Sequence, residues 1–199
     1  AIEPDVVLPV TKRTGRADAD KAALVALAAQ LREKLAGRYR RYVDTTSPEV
    51  IPYRRRAGSG STDYVFLVND RREYGRYVGH HGIVMENGLP SQAAVSVDRP
   101  AGFVYDLVAS RPVPARTENG RLRFDVTLGP CGGRVYMIAE RAIDRVRIEM
   151  PEQVARGEHA ECTVEVLDAD GRPIDAAVPV EVTITDAEAR EAEFTGYYA

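Results

Sequence analysis

The sequence predicts a mainly β chain: an antiparallel β-sandwich behind one N-terminal helix, followed by a second, smaller and incomplete β module. Three observations point there. From Tyr64 onward, apolar residues recur at every second position, the period of a strand. The turn pairs Asn119-Gly120, Gly132-Gly133 and Asp170-Gly171 punctuate these runs. Helical spacing is confined to one stretch before Gly37.

Residues 1–16 carry Pro4, Pro9 and Gly15 and read as an extended lead-in. Asp18 or Asp20 then caps a helix in which Leu24, Leu27, Leu31 and Leu35 form one apolar stripe. Ala fills much of the remainder and favours helix, and Gly37 is placed to end it. Such a stripe calls for a partner surface. "TTSPEVIPYRRRAGSGST" has two prolines and a Gly/Ser tract and reads as a connection. "YVFLV" is apolar on both faces and suits a central strand. "AAVSV" and "FVYDLV" are shorter strands. In "RLRFDVT", Leu122, Phe124 and Val126 alternate with Arg121, Arg123 and Asp125, giving one wet face. "RVYMIA" follows. The predicted organisation is an extended segment, helix and linker over 1–62, a sandwich over 63–142, and a β module over 143–199.

In the last module, Cys162, Val164 and Val166 share one face, as do Val180, Val182 and Ile184. That pattern resembles the first half of an immunoglobulin-like module, which runs to about 100 residues. The chain ends on "AEFTGYYA", an apolar and aromatic strand with no stop signal, so the natural chain is expected to continue past Ala199. The alternative is a compact sandwich that shares strands with the first module.

A net charge of −3 predicts neither nucleic-acid binding nor a membrane surface, and no run approaches the ~20 apolar residues of a membrane span. The charge is uneven: residues 32–56 are basic and 149–199 acidic. Cys131 and Cys162 form no metal motif, and their pairing stays open. No cofactor motif is present: neither a Walker A loop nor a G-x-G-x-x-G follows a strand.

The densest polar stretch is "YVFLVNDRREYGRYVGHHG", Tyr64 to Gly82. Its adjacent His80 and His81 point to opposite faces on a strand and do not suit one metal ion. No G-x-S-x-G elbow accompanies a Ser-His-Asp set. Asp70, Glu73 and Asp106 are the carboxylates that glycoside hydrolysis would need in pairs, and a turn-facing hydrogen bond explains Asp106 equally well. Aromatic faces stack on sugars while Arg and Asn bond their hydroxyls. Arg71, Arg72, Tyr74, Tyr77 and His80 are therefore the candidate ligand-binding residues, although the chain has no Trp. The favoured reading is a core strand, "YVFLV", followed by a polar connection.

The run "DYVFLVNDRREYG", with "AAVSV", "GFVYDLV" and "GRLRFDVTLGPCGGRVYMI", resembles C-terminal β-sandwich domains of large secreted glycoside hydrolases. The matching residues are Tyr64, Phe66, Val68 and Asn69, then Val104 to Leu107, then Gly133 to Met137. The "R-G-E" and "D-x-D-G-x-P" phrases after Ile143 look like turns of an immunoglobulin-like or bacterial surface-protein repeat. The resemblance implies an extracellular, periplasmic or cell-surface location and a catalytic barrel elsewhere, so no catalytic residue is assigned to this chain. It also implies a helix packed on the sandwich as the tail of that barrel. The expected function is a non-catalytic accessory segment of a carbohydrate-active protein. Its expected partners are other domains of the parent chain and carbohydrate, with no nucleic acid and no membrane insertion. The alternatives are an adhesin-like protein-interaction module and a hydrolase using Asp70 and Asp106.

Overall fold

The computed structural model describes residues 17–57, 59–78, 84–155, 157–192 and 195–198. Helix α1 is Ala17–Leu35. The strands of the first module are β1 (Val43–Thr45), β2 (Val50–Arg56), β3 (Asp63–Asn69), β4 (Arg72–Val78), β5 (Val84–Gly88), β6 (Ser91–Val97), β7 (Phe103–Asp106), β8 (Arg111–Val113), β9 (Arg116–Glu118), β10 (Arg121–Leu128) and β11 (Gly133–Ala139). The second module contributes β12 (Arg145–Glu149), β13 (Thr163–Leu167), β14 (Val180–Val182) and β15 (Gly196–Tyr198).

Two antiparallel sheets make the sandwich. One has the order β1-β6-β10-β9 and the other β2-β3-β11-β7-β8. Alternation fills the space between them. Val95, Val97, Leu122, Phe124 and Leu128 come from the four-stranded sheet; Val65, Leu67, Val104, Tyr136 and Ile138 come from the five-stranded one. At the centre the Phe124 and Tyr136 rings lie 5.1 Å apart, tilted by 53°, a spacing suited to edge-to-face contact.

"YVFLV" is a central strand as predicted, with β2 on one side of β3 and β11 on the other. Asn119 and Gly120 have φ of 51° and 72°, the paired left-handed values of a tight turn between β9 and β10. The Gly132-Gly133 turn, at Pro130 to Gly133, does not join neighbouring strands of one sheet. It carries the chain from β10 in one sheet to β11 in the other, with the Gly132 amide bonded to the Gly129 carbonyl at 3.0 Å.

One strand, β2, lies within the stretch expected to be a connection, and β1 ends at its first residue, Thr45. β1 pairs with β6, and β2 pairs with β3 along its whole length. Pro52 fits because β2 is an edge strand, where a missing N–H need not break a ladder. The helix also departs from expectation. Leu24, Leu31 and Leu35 are exposed, and α1 touches the rest of the chain through little beyond β4. The stripe is present, but the sandwich does not cover it.

In the second module β12 pairs with β13, and β14 with β15. Asp168 closes the turn after β13, accepting from the Arg172 amide at 2.7 Å and pairing with Arg141. Ile174 is carried back onto the sandwich, where it buries Met137 and Ala139 together with Tyr64, Tyr105, Ile143, Val166 and Val178. This explains why four successive residues of β11, Tyr136 to Ala139, are all buried. Tyr136 and Ile138 face the sandwich core, whereas Met137 and Ala139 face the second module. Tyr64 Oη donates to the Ala177 carbonyl at 3.0 Å and accepts from the Ala177 amide at 2.6 Å. Thr62 Oγ1 donates to the Asp175 carbonyl at 2.8 Å. Cys131 and Cys162 are separate, exposed free thiols.

Candidate functional site

The described part of the polar stretch after β3 forms a paired strand rather than a connection. Arg72–Val78 pairs with Val84–Gly88, and the register shifts between Tyr74 and Val78. Asn69 anchors its base. Its buried side-chain amide donates to the Leu89 and Gly129 carbonyls, both at 2.7 Å, and its oxygen accepts from Ser91 Oγ at 2.8 Å. Arg71 donates to the Pro90 carbonyl at 3.0 Å and lies 3.6 Å from Glu49. Arg72 pairs with Glu86 at 2.6 Å and Asp70 at 3.3 Å. Both guanidiniums are thus engaged within the chain. Tyr74 and Tyr77 lie on β4 across the irregular register. His80 and His81 lie outside the described residues.

The carboxylates proposed for hydrolysis do not meet. Val65 and Asp106 both stand opposite Tyr136, two strands apart, and Asp70 lies five residues further along the chain. Strand spacing and rise then separate Asp70 from Asp106 by roughly 19 Å. Paired glycosidase carboxyls stand about 5–9.5 Å apart. Asp106 instead holds the turn after β7, accepting from the Val108 and Ala109 amides at 3.0 Å each, and Asp70 pairs with Arg72.

A polar cluster that sequence reasoning missed surrounds Asp63. This buried carboxylate accepts from Tyr42 Oη at 2.7 Å, Arg54 Nε at 2.7 Å and Arg99 Nη1 at 3.2 Å. The Arg54 guanidinium lies over the Tyr42 ring at 3.5 Å, a cation–π contact. Burial pushes the Asp63 carboxyl up, but Tyr42, Arg54 and Arg99 outweigh it and hold the group below its ordinary value. Burial and the bond to Asp63 raise the Tyr42 hydroxyl. Arg99 also reaches the Ile138 carbonyl at 3.1 Å and the Ala101 carbonyl at 2.9 Å. The cluster clasps the loop between β6 and β7 to β3 and β11, so its role is structural.

The surface left for interaction lies on the outer face of the five-stranded sheet. Ile51 stands opposite Val68, and Tyr53 opposite Phe66. Together they form a two-by-two apolar strip with exposures of 49%, 53%, 58% and 37% respectively. The Tyr53 and Phe66 rings are 6.3 Å apart, and Arg55 lies 5.6 Å from the Tyr53 ring centre. In the next row of the ladder, Tyr64 and Met137 are already covered by the second module. The strip is therefore the open half of a sheet face whose other half is an interface. Alternation puts Phe66 and Val68 on one face of β3, but that this face is outward, and that Ile51 and Tyr53 join it, required the β2–β3 pairing.

No protein-family model matches the chain, and no curated protein matches it in sequence. Among solved structures the chain is similar to the alpha-L-fucosidase isoenzyme 2 from Paenibacillus thiaminolyticus, with 17% sequence identity and a TM-score of 0.44. The likeness covers 61% of this chain and 19% of the fucosidase chain. A likeness of that degree bears on neither the substrate nor the activity of this chain.

Proposed function

We propose that this chain is a non-catalytic accessory segment of a larger extracellular carbohydrate-active protein, and that its work is to hold neighbouring domains together. The observation that carries this reading is the half-covered outer face of the five-stranded sheet. One half already receives the second module through Met137, Ala139 and Ile174. The other half offers Ile51, Tyr53, Phe66 and Val68 to water. A contiguous apolar strip beside an existing interface is the kind of surface that marks a docking site. The sequence resemblance to accessory sandwich domains agrees with this role, and the partial immunoglobulin-like module acts as the first docked neighbour. A second, weaker role follows from the exposed Tyr53 ring beside Arg55, since a flat ring next to a guanidinium also stacks on a sugar face.

Thermal unfolding of the larger parent protein that this reading proposes tests the docking role. Tyr53→Ser together with Phe66→Ser is expected to split one cooperative transition into two. The isolated chain should keep a single transition and lose about 1 kcal/mol, the worth of a cross-strand aromatic pair. An unchanged transition in the larger protein contradicts the docking role. Capture of a separate protein through the strip would make the chain an adhesin-like module, and glycoside turnover by the isolated chain would overturn the non-catalytic reading.

A further inference from the structure

The opposite side of the molecule carries a different surface. Between the end of α1 and the outer face of the four-stranded sheet lies an open cleft of about 530 Å³, within the ~300–1,000 Å³ of ligand pockets. Its floor is one ladder row across three strands: Asp44 of β1, Ser96 of β6 and Arg123 of β10 stand opposite one another. Arg121 lies beside them, held by Ser96 Oγ and the Arg41 and Tyr42 carbonyls. The facing wall is the last turn of α1 and the segment after it, with Arg32, Tyr39, Arg40 and Arg41.

Charge is unbalanced in this cleft. Arg41 pairs with Asp44, Arg40 and Arg121 share Asp98, and Arg123 pairs with Glu118. Glu118 is also drawn on by Arg116. Five lining arginines thus meet three carboxylates, in a protein whose net charge is −3. The carbonyl end of a helix disfavours anions. Here the Leu35 carbonyl is occupied by the Arg38 and Tyr39 amides, both at 2.8 Å. Guanidinium forks bind oxyanions in bidentate fashion, and Tyr39 adds an exposed ring at the rim.

We propose that this cleft binds the oxyanion groups of an acidic polysaccharide. Recognition of carboxylate or sulfate follows from the arginine excess. The choice of a polysaccharide rests on the reading of the chain as a carbohydrate-active accessory segment. Nucleic acid is disfavoured by the net negative charge and by the acidic module.

Binding of polygalacturonate (carboxylates), dextran sulfate (sulfates) and uncharged dextran to the isolated chain tests this by titration calorimetry. One of the two polyanions is expected to bind, more weakly as salt rises, and the one that binds identifies the oxyanion. Arg32→Gln with Arg40→Gln should weaken it about tenfold, from lost charge-assisted bonds, with an unchanged melting temperature. Arg172→Gln, on the second module, should bind as the parent does. Absence of binding to either polyanion, equal binding of uncharged dextran, an unaffected double variant, or tighter binding of single-stranded DNA overturns the proposal. None of these results touches the docking strip, which lies on the other sheet, so the two readings fail separately.

Discussion

Asp63 is the most buried carboxylate among the described residues, and it is held by Tyr42, Arg54 and Arg99. Asp63→Asn strands two partly buried guanidiniums and should cost about 3–5 kcal/mol in chemical denaturation at neutral pH. The pH dependence has a definite sign. The native carboxyl lies below its unfolded value, so its stabilisation is fully present above about pH 4 and is lost as pH falls through the native value. The gap between parent and variant should therefore close in acid, and a constant gap would refute the role given to Asp63. At the core, Phe124→Ala should cost about 3–5 kcal/mol, read by the same denaturation. Part of this was legible. Alternation through "DYVFLVN" puts Asp63, Val65, Leu67 and Asn69 on one face, but only the packing makes that face the core side. Their partners were not legible, because Arg99 lies 36 positions from Asp63 and Gly129 lies 60 from Asn69.

Among the elements, β3, β6, β10 and β11 stand where the two-residue period puts them. β2 does not follow from its own sequence. Pro52 and three consecutive arginines argue against a strand, but the edge position tolerates the proline, and Asp63 gives Arg54 a reason to turn inward. Helix α1 shows the converse: its period was legible, but its packing was not. Leu24→Gln with Leu31→Gln should change the stability of the isolated chain by no more than about 0.5 kcal/mol, since both side chains are exposed. A larger loss in thermal unfolding would mean that the helix packs more closely than its exposure shows. The joint between modules is sensitive at Tyr64. Tyr64→Phe leaves the Ala177 amide without its acceptor and should cost about 1 kcal/mol. Faster limited proteolysis near Arg141 would register that loosening, and an unchanged rate would assign the joint to its apolar contacts and to the Thr62–Asp175 bond.

For the whole molecule, the two sheets have outer faces of opposite character. The four-stranded sheet presents Asp44, Ser96, Arg121 and Arg123, and the five-stranded sheet presents Ile51, Tyr53, Phe66 and Val68. That division suits a block that meets a charged ligand on one side and protein on the other. The candidate residues read from the sequence, Arg71, Arg72, Tyr74, Tyr77 and His80, combine aromatic rings with hydrogen-bonding groups within one stretch. The strip was missed because its two halves are separated by the Gly/Ser turn and join only when β2 and β3 pair. Hydroxyl-radical footprinting of Tyr53 and Phe66, in the isolated chain and in the larger parent protein proposed above, tests the docking role most directly. The account predicts strong modification in the isolated chain and several-fold protection in the larger protein. Equal modification of both rings in the two forms would contradict it.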